Sequence, residues 1–349
     1  MKRILSLFCI AIILCVAPMV QAQEKFRYDF FNTFDTMISV IAFADSKAEF
    51  DKTMQIAEAK FQMYHKYFDI YHEYEGMVNL ATLNAKAHVE PVQIEAELFS
   101  FLEYCKQVHM QYPSRANIAM GNMLSIWHDF RTEASKGGNA QIPGIKTLQA
   151  AMQYSSLDDL VLNKENNTVF YINPIRLDVG SIAKGYATEQ VALYLEGTAL
   201  SSFIINAGGN VRTGNAPQDG RNYWAVGIAN PQKPSDLYET VFVKQSSIVT
   251  SGDYQRFYEV GGKRYHHIID PTTLMPANYY RSVSIHTQNS AMADYLSTAL
   301  YTMDLESGKA FVESLDGVEA LWILEDNSYI ATDGFARIQK SQGATAQMD

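Results

Sequence analysis

A strand, a glycine-containing turn and a helix follow one another near the middle of the chain, and this succession constrains the fold more than any other feature. Residues 168–172 form a short run of β-branched and aromatic side chains, which is typical of a strand. Residues 186–195 carry apolar side chains at helical spacing. Between them, Gly180 and Ser181 allow a tight turn. The segment 177–187 is therefore predicted to be a strand-to-helix turn.

This segment also combines residue types that bind a phosphate and its metal ion. Asp178, Ser181 and Lys184 supply an acid, a hydroxyl and a cation within seven residues. The N-terminus of the following helix adds unpaired N–H groups and the positive end of a dipole. A capped helix start with an ordinary surface lysine is the alternative, and this segment alone leaves it open.

The first 22 residues have the composition of a signal peptide. Lys2 and Arg3 precede an apolar run over residues 4–17, and Val20-Gln21-Ala22 is typical of a cleavage site. We therefore expect an exported protein in a periplasmic or other extracytoplasmic compartment. Cys15 offers the alternative of a lipid-anchored, membrane-associated form, but the residues before it lack the small side chain that lipidation normally requires.

Composition excludes several classes of protein. Of the 349 residues, 47% are hydrophobic and 19% are charged, as in soluble globular proteins. Loss of Lys2 and Arg3 would change the formal net charge from −10 to −12, which disfavours nonspecific nucleic-acid binding. The mature chain would keep only Cys105, so an internal disulfide and a cysteine-based metal site are both excluded.

The remaining chain predicts an α+β fold. Helical stripes run over residues 47–68 and 96–111, whereas residues 28–44 alternate like a strand pair or one long bent strand. Paired glycines at Gly208-Gly209 and Gly261-Gly262 predict hairpin turns. We expect one domain over residues 23–340 and a polar tail over 341–349, because no linker separates two halves.

A second candidate for metal binding lies on the helix predicted after residue 290. Asp294 and Thr298 are four residues apart and share one helix face, where a carboxylate and a hydroxyl offer hard oxygen ligands for Mg²⁺ or Ca²⁺. The alternative is an acid favoured by the helix dipole and a threonine bonded to a backbone carbonyl. Tyr71 and Tyr74 are either packing residues or a platform for a planar ring. For His128, a structural role is favoured over metal binding.

Several ordered blocks of sequence, each weak alone, together resemble a known family. They are Leu177-Asp-Val-Gly-Ser-Ile-Ala-Lys-Gly-Tyr-Ala, Asn206-Ala-Gly-Gly-Asn, Thr250-Ser-Gly-Asp-Tyr, His267-Ile-Ile-Asp-Pro and Ala291-Met-Ala-Asp-Tyr-Leu-Ser-Thr-Ala-Leu, preceded by Phe34-Asp35-Thr36 and Leu83-Asn84. In this order they resemble the ApbE-like FAD:protein FMN transferases. The resemblance extends over residues 28–339. It implies an ApbE-like (T-fold-like) mixed architecture, with antiparallel sheets flanked by helices.

The activity implied by the resemblance is a Mg²⁺-dependent cleavage of FAD. FMN passes through a phosphoester to a threonine of an acceptor protein, and AMP is released. Acceptors are expected to be exported proteins, in particular subunits of membrane redox complexes, with an Asp-x-x-Ser/Thr-Gly-Ala-Thr type motif. Two alternatives are an FAD pyrophosphatase that releases FMN and AMP, and a non-catalytic exported flavin-binding protein.

The resemblance also implies roles for individual residues. Flavin-nucleotide contacts are expected at Phe34, Tyr74, Arg115, Ala116, Asn117, Asp178, Lys184 and Ile269. The metal is expected at Ser181, Asp294, Thr298 and the carbonyl of Ala291. His267 is the candidate base for the acceptor hydroxyl, because an ordinary histidine pKa lies near neutral pH. Its alternative role is to hold the following Asp-Pro turn in place.

Three positions depart from the family pattern. Asn117 stands where an aspartate is usual, and Asp35 and Leu274 stand where glycine is usual. These departures concern the flavin and adenine contacts rather than the predicted metal ligands.

Overall fold

The computed structural model describes residues 23–114 and 117–348. The predicted signal peptide, and Arg115 and Ala116 among the predicted nucleotide contacts, lie outside these ranges. Within them, no helix combines the length and the apolar character needed to cross a membrane.

The elements alternate irregularly between strand and helix. The strands are β1 (Glu24–Thr33), β2 (Thr36–Ala44), β3 (Val92–Gln93), β4 (Leu160–Asn163), β5 (Thr168–Tyr171), β6 (Phe203–Ala207), β7 (Asn210–Thr213), β8 (Trp224–Asn230), β9 (Lys233–Val243), β10 (Ser247–Gly252), β11 (Phe257–Val260), β12 (Lys263–His266), β13 (Ile269–Asp270), β14 (Met275–Pro276), β15 (Ser282–Thr287), β16 (Glu319–Ile323) and β17 (Tyr329–Ala331). The helices are α1 (Lys47–Phe68), α2 (Leu80–Lys86), α3 (Ala96–Gln111), α4 (Gly121–Ser135), α5 (Ile145–Ala151), α6 (Ala183–Glu196), α7 (Ser290–Tyr301), α8 (Leu305–Glu313) and α9 (Asp333–Ile338).

An eight-stranded antiparallel sheet in the order β1-β2-β6-β7-β10-β15-β16-β17 forms the centre of the fold. Smaller sheets of two or three strands surround it. The predicted α+β class, with antiparallel sheets flanked by helices, is therefore confirmed. Residues 28–44 belong to the strand pair β1–β2 rather than to one bent strand.

Successive side chains along the central strands point to opposite faces of the sheet, and each face has its own core. On β10, Val249 packs in the core with helices α1, α6 and α7, whereas Ile248 packs against the β8–β9 hairpin and α9. On β16, Trp322 packs in the same core as Val249, and Leu321 packs in the same core as Ile248. The central sheet thus separates a helical layer from a hairpin layer.

Two helices predicted from apolar stripes have the predicted bounds. Helix α1 begins after Ser46, whose side chain accepts a hydrogen bond from Glu49 N at 3.3 Å, as expected of an N-cap. Its buried face includes Phe50 and Phe61. Helix α3 spans Ala96–Gln111. Both helices contribute to the core on the helical face of the sheet.

The polar segment after residue 339 packs against the hairpin layer. Gln339 donates from Nε2 to Glu239 Oε2 at 3.2 Å, and the Ser341 hydroxyl also bonds Glu239. Further on, Asn222 N donates to Ala346 O at 2.8 Å. The hydrophilic composition of residues 341–348 therefore reflects hydrogen bonding to β9 and to the segment before β8.

Candidate active site

A cavity of about 540 Å³ opens where the ends of several elements meet, and we call it the central cavity. Its wall is built from the β1–β2 turn, the end of α1, helix α4, the turn before α6, strand β10 and helix α7. Its lining includes the predicted residues Phe34, Tyr74, Asn117, Asp178, Ser181, Lys184, His267, Ile269, Asp294 and Thr298. Segments separated by more than 200 residues in sequence thus converge on one space.

The floor of the central cavity is the contact between α6 and α7. Gly185 N donates to Asp294 Oδ2 at 2.8 Å. A Cβ atom on Gly185 would lie 2.4 Å from Asp294 Cβ and 2.3 Å from Ser290 O, so only glycine allows this approach. The close contact brings the segment that carries Lys184 against the helix that carries Asp294.

Asp294 is almost fully buried, with 5% of its surface exposed. Burial raises the pKa of its carboxyl group, and the positive charge of Lys184 and the hydrogen bond from Gly185 act in the opposite direction. A carboxylate in such a place gains from a nearby cation, because its own hydration has been lost. The position suits a group that neutralises a metal ion or a lysine.

The start of α7 is fixed by a buried ion pair. Glu189 Oε2 on α6 accepts hydrogen bonds from Ser290 N at 2.7 Å and from Arg212 Nε at 3.2 Å. Arg212 also donates from Nη2 to Glu196 Oε1 at 2.9 Å. The side chains of Glu189 and Arg212 are each 6% exposed. These bonds tie α6, β7 and the first turn of α7 together.

The turn before α6 is held by its neighbours. Asn84 accepts at Oδ1 from Leu177 N at 2.7 Å and donates from Nδ2 to Leu177 O at 2.9 Å. Asp178 N then donates to Ile118 O at 2.8 Å, and Asp178 Oδ1 accepts from Gly180 N at 2.9 Å. The predicted turn therefore begins after Leu177, several residues beyond the end of β5.

Oxygen donors suited to Mg²⁺ converge in the central cavity. Asp294, Thr298 and Ser181 all line it, and within the described part of the chain the Thr298 hydroxyl has only a long hydrogen-bond contact of 3.5 Å, to Ser251 Oγ. The predicted Ala291 is 1% exposed, in the first turn of α7, and does not line the cavity. In the described ranges, no three His, Cys, Asp or Glu side chains form a metal-binding group. One carboxylate with hydroxyls fits a magnesium ion that takes its other ligands from substrate phosphates.

The adjacent histidines at the end of β12 occupy different environments. His266 bonds Ala277 O through Nε2 at 2.7 Å and accepts from Ile268 N at Nδ1 at 3.2 Å, so it holds the turn in place. His267 lines the central cavity, and its buried Nδ1 has no hydrogen-bond partner among the described residues. Burial, together with Arg256 and other cations, lowers the pKa of His267 to about 3. This differs from the expected near-neutral pKa, and it leaves the imidazole uncharged at neutral pH.

Aromatic side chains form the opposite wall of the central cavity. The Tyr71 ring is 53% exposed, and its hydroxyl lies 3.0 Å from His128 Nδ1, with the two rings 4.7 Å apart. Tyr74 donates from its hydroxyl to Asp69 Oδ2 at 2.8 Å. Phe34 packs edge-on against His65. An exposed ring anchored at its hydroxyl has the form of a platform for a planar ligand, rather than of a packing residue.

Comparison with known proteins identifies the group to which this architecture belongs. The sequence profile of the ApbE family matches residues 34–322. The chain belongs to the ApbE family. It is 33% identical over 276 residues to the FAD:protein FMN transferase of Treponema pallidum, covering 73% of each protein. It is 27% identical over 278 residues to the protein of that name from Klebsiella pneumoniae, covering 79% of this chain and 84% of the relative. The family expected from the motifs is confirmed, and these relatives carry the name of the expected transferase.

Solved structures of the ApbE family share the fold. A crystal structure of the ApbE protein of Thermotoga maritima matches with a TM-score of 0.79 at 22% identity, over 90% of this chain and 99% of the other. The apo form of the Pseudomonas stutzeri flavinyl transferase ApbE matches with a TM-score of 0.75 at 20% identity, over 90% and 97%. The T-fold-like ApbE architecture expected for the chain is thus the one observed.

Among the remaining predicted contacts, Asn117 and Ile269 lie at the same side of the central cavity. The Asn117 side chain accepts from Ala119 N at 2.7 Å and donates to Ser155 O at 3.3 Å, so its amide is engaged by its own loop and by the segment after α5. Ile269 is 3% exposed and packs with Trp127. The roles assigned to these residues, to the metal set and to His267 remain predictions.

Two arginines of the central cavity were missed by the sequence analysis. Arg131 lies on α4, one turn after His128, and donates from Nη2 to its Nδ1 at 3.1 Å. Arg256 follows the Thr250 block and faces Asp35 with a separation of 3.6 Å. The spacing of His128 and Arg131 places both on one helix face, and this signal was present in the sequence. Nothing in the sequence pattern places Arg256 at the cavity.

The departures at Asp35 and Leu274 from the ApbE family's glycines have a visible consequence. Asp35 has φ of 52° and Leu274 has φ of 58°, the left-handed conformation that favours glycine. The backbone therefore keeps the conformation that glycine would adopt, although the side chains differ. The departure therefore puts strain on two turns.

Proposed function

We propose that this chain is a Mg²⁺-dependent FAD:protein FMN transferase that cleaves FAD and attaches FMN to a threonine of an acceptor protein. The observation that carries the proposal is the convergence of Asp178, Lys184, His267 and Asp294 from distant segments on one cavity. The names of the curated relatives support the same reaction. Aromatic side chains on one wall suit a flavin or adenine ring, and a cation with buried oxygen donors suits a diphosphate.

In the proposed reaction, the acceptor's threonine oxygen attacks the phosphorus of the FMN portion of FAD. A new P–O bond forms to the acceptor, the bond to the bridging oxygen breaks, and AMP leaves with the electron pair of that bond. The threonine proton passes to a base, for which His267, which lines the central cavity, is our candidate. Lys184 offsets the negative charge of the diphosphate. The buried contact between Gly185 on α6 and Asp294 on α7 keeps that lysine in position.

Magnesium would be held by Asp294, Thr298 and Ser181, with the carbonyl of Ala291 as a further predicted ligand. When bound there, the ion would neutralise negative charge on the diphosphate and on the departing AMP. The fit of this site to a magnesium ion depends on the buried carboxylate of Asp294, whose pKa is raised because burial removes the water around it.

We further propose that the enzyme works outside the cytoplasm on exported acceptors such as subunits of membrane redox complexes. The support is the signal-like composition of residues 1–22. Detection of the mature protein in the periplasmic or secreted fraction, with an N-terminus near residue 23, is the expected result. Cytoplasmic retention of the full-length chain would contradict it.

One assay tests the reaction. The protein is incubated with FAD, Mg²⁺ and a peptide carrying the Asp-x-x-Ser/Thr-Gly-Ala-Thr motif, and AMP, free FMN and peptide mass are measured. A transferase gives AMP and a peptide heavier by FMN, and the same peptide with valine for the last threonine stays unmodified. Free FMN with AMP and no modified peptide would indicate a pyrophosphatase. Bound FAD that survives unchanged would indicate a flavin-binding protein.

A further inference from the structure

A second cavity of about 570 Å³ lies beside the central cavity, and we call it the side cavity. It lies between the β6–β7 turn, the β8–β9 hairpin and the segment after β10. The residues that line both cavities are Phe34, Asp35, Lys184, Thr250, Gln255 and Arg256. The predicted metal ligands Ser181, Asp294 and Thr298 line the central cavity and not the side cavity. The two spaces are thus neighbours that share one wall, and Lys184 is part of that wall.

Part of the side cavity is lined by residues with small side chains. Gly209 has φ of 95°, and a Cβ there would make only an ordinary contact, with Gln255 Nε2 at 3.7 Å. On strand β8, Gly227 and Ala229 also line the cavity. Gly209 and Ala229 carry no side chain beyond a methyl group, so another backbone can approach the cavity wall closely at these positions.

We propose that the side cavity binds the acceptor protein, as an extended segment of small residues whose threonine hydroxyl reaches the boundary at Lys184. This inference rests on the proposed function. A group transfer between two substrates needs the second substrate to approach the reacting phosphorus while the first is bound. The side cavity offers that approach, because Lys184 lines it whereas Tyr71 and Tyr74 line only the central cavity.

The geometry and charge of the side cavity favour this occupant. In phosphoryl transfer the attacking and leaving oxygens lie roughly in line, so the acceptor and the departing AMP must approach the phosphorus from opposite sides. The predicted metal ligands Ser181, Asp294 and Thr298 line only the central cavity, and Gly209 and Ala229 line only the side cavity, so the two substrates would occupy different spaces. Lys184 and Arg256 face the boundary against the single carboxylate of Asp35, which favours an acceptor segment of neutral or negative charge.

A bulky residue in the side cavity tests the proposal. Ala229→Trp fills the cavity from β8, whereas Ala225→Trp places the same side chain on the same strand at an exposed position that lines neither cavity. We expect Ala229→Trp to lower kcat/KM for the motif peptide by at least about tenfold through a raised KM, with FAD affinity unchanged. Ala225→Trp should transfer FMN like the wild type. Equal transfer by both variants would overturn the proposal.

Crosslinking with the wild-type protein provides a second test that does not depend on the folding of a variant. The motif peptide carries a photoreactive residue next to its threonine and is irradiated with the enzyme and FAD. Crosslinks to residues 206–209 and 226–229 are expected, and crosslinks confined to α1 or α4 would overturn the proposal. If the wild-type protein failed to transfer FMN, the proposed function itself would be contradicted. If it transferred FMN but the crosslinks lay outside residues 206–209 and 226–229, only the proposed acceptor site would be contradicted.

Discussion

The floor and the rim of the central cavity are built in opposite ways. At the floor, α6 and α7 touch through Gly185 and Asp294, and the polar groups there are buried and hydrogen-bonded. At the rim, the β1–β2 turn carries Phe34 and Asp35 with φ of 55° and 52°, and the Asp35 side chain is 87% exposed. The same cavity therefore combines a closely packed base with an exposed, strained edge.

The floor of the central cavity positions Lys184 and Asp294, whereas the rim borders the opening through which a substrate enters. A small error at the floor moves the lysine and carboxylate relative to each other, and close packing gives no room to absorb it. The rim carries no comparable packing, so its residues can change with little effect on the floor. Substitutions at the floor should therefore alter turnover or stability strongly, and substitutions at the rim only weakly.

The largest expected effect is that of Asp294→Ala. Loss of the buried carboxylate removes the anionic ligand proposed for the metal, and turnover of FAD should fall roughly 1,000-fold. The fold should persist, because removal of a desolvated charge offsets the lost hydrogen bond from Gly185. AMP release at a series of Mg²⁺ concentrations, with circular dichroism as the check on folding, measures both. Wild-type activity at low Mg²⁺ would remove Asp294 from the metal site.

A second test probes the helix contact itself. A methyl group at Gly185 would meet the backbone oxygen of Ser290 at 2.3 Å, so Gly185→Ala should lower the free energy of unfolding by about 1–3 kcal/mol and weaken turnover. Gly197, at the other end of α6, is the matched control. A Cβ there would lie 3.4 Å from its nearest neighbour, so Gly197→Ala should change stability by less than about 1 kcal/mol. Denaturant unfolding compares the two, and equal effects would contradict a special role for the contact.

The floor could be predicted in part from local sequence patterns, whereas at the rim Phe34 was expected from the family resemblance alone. Helical periodicity put Asp294 and Thr298 on one face of a helix, and both line the cavity. Such patterns report local geometry, which hydrophobic spacing determines. The contact of Gly185 with α7 joins segments more than 100 residues apart, and no local pattern records it. The position of Arg256 at the cavity likewise depends on tertiary packing.

The pKa of His267, which follows β12, shows a further limit of sequence-based prediction. Sequence alone suggested an ordinary histidine pKa for His267, because burial and neighbouring cations are invisible in a linear pattern. In the structure, burial comes first among the causes that lower its pKa to about 3, followed by Arg256 and His266. The base role of His267 therefore rests on its position in the central cavity and not on a near-neutral pKa, because an imidazole with a pKa of about 3 is a weaker base.

The pH dependence of stability tests that environment. A histidine in the unfolded chain has a pKa of about 6.5. Between pH 6.5 and about 3, His267 is therefore protonated in the unfolded chain but neutral in the folded chain. Stability from this group is complete above pH 6.5 and is lost as the pH falls. We expect His267→Gln to lose stability less steeply than the wild type between pH 7 and 5. Thermal unfolding across that range measures the two slopes, and parallel curves would show that His267 titrates normally.

The smallest expected effect is at the rim, where Asp35→Gly restores the residue usual in the ApbE family. Glycine relieves the left-handed strain at φ of 52° but gives the unfolded chain more freedom, so the net change should stay below about 1 kcal/mol. Leu274→Gly is the matched comparison, because Leu274 has φ of 58° but is only 7% exposed. Its loss of buried surface should cost about 2 kcal/mol despite the same relief of strain. Denaturant unfolding of both variants decides the matter: if Asp35→Gly destabilised the protein as much as Leu274→Gly, the rim would be a packed part of the fold, and the contrast with the floor would disappear.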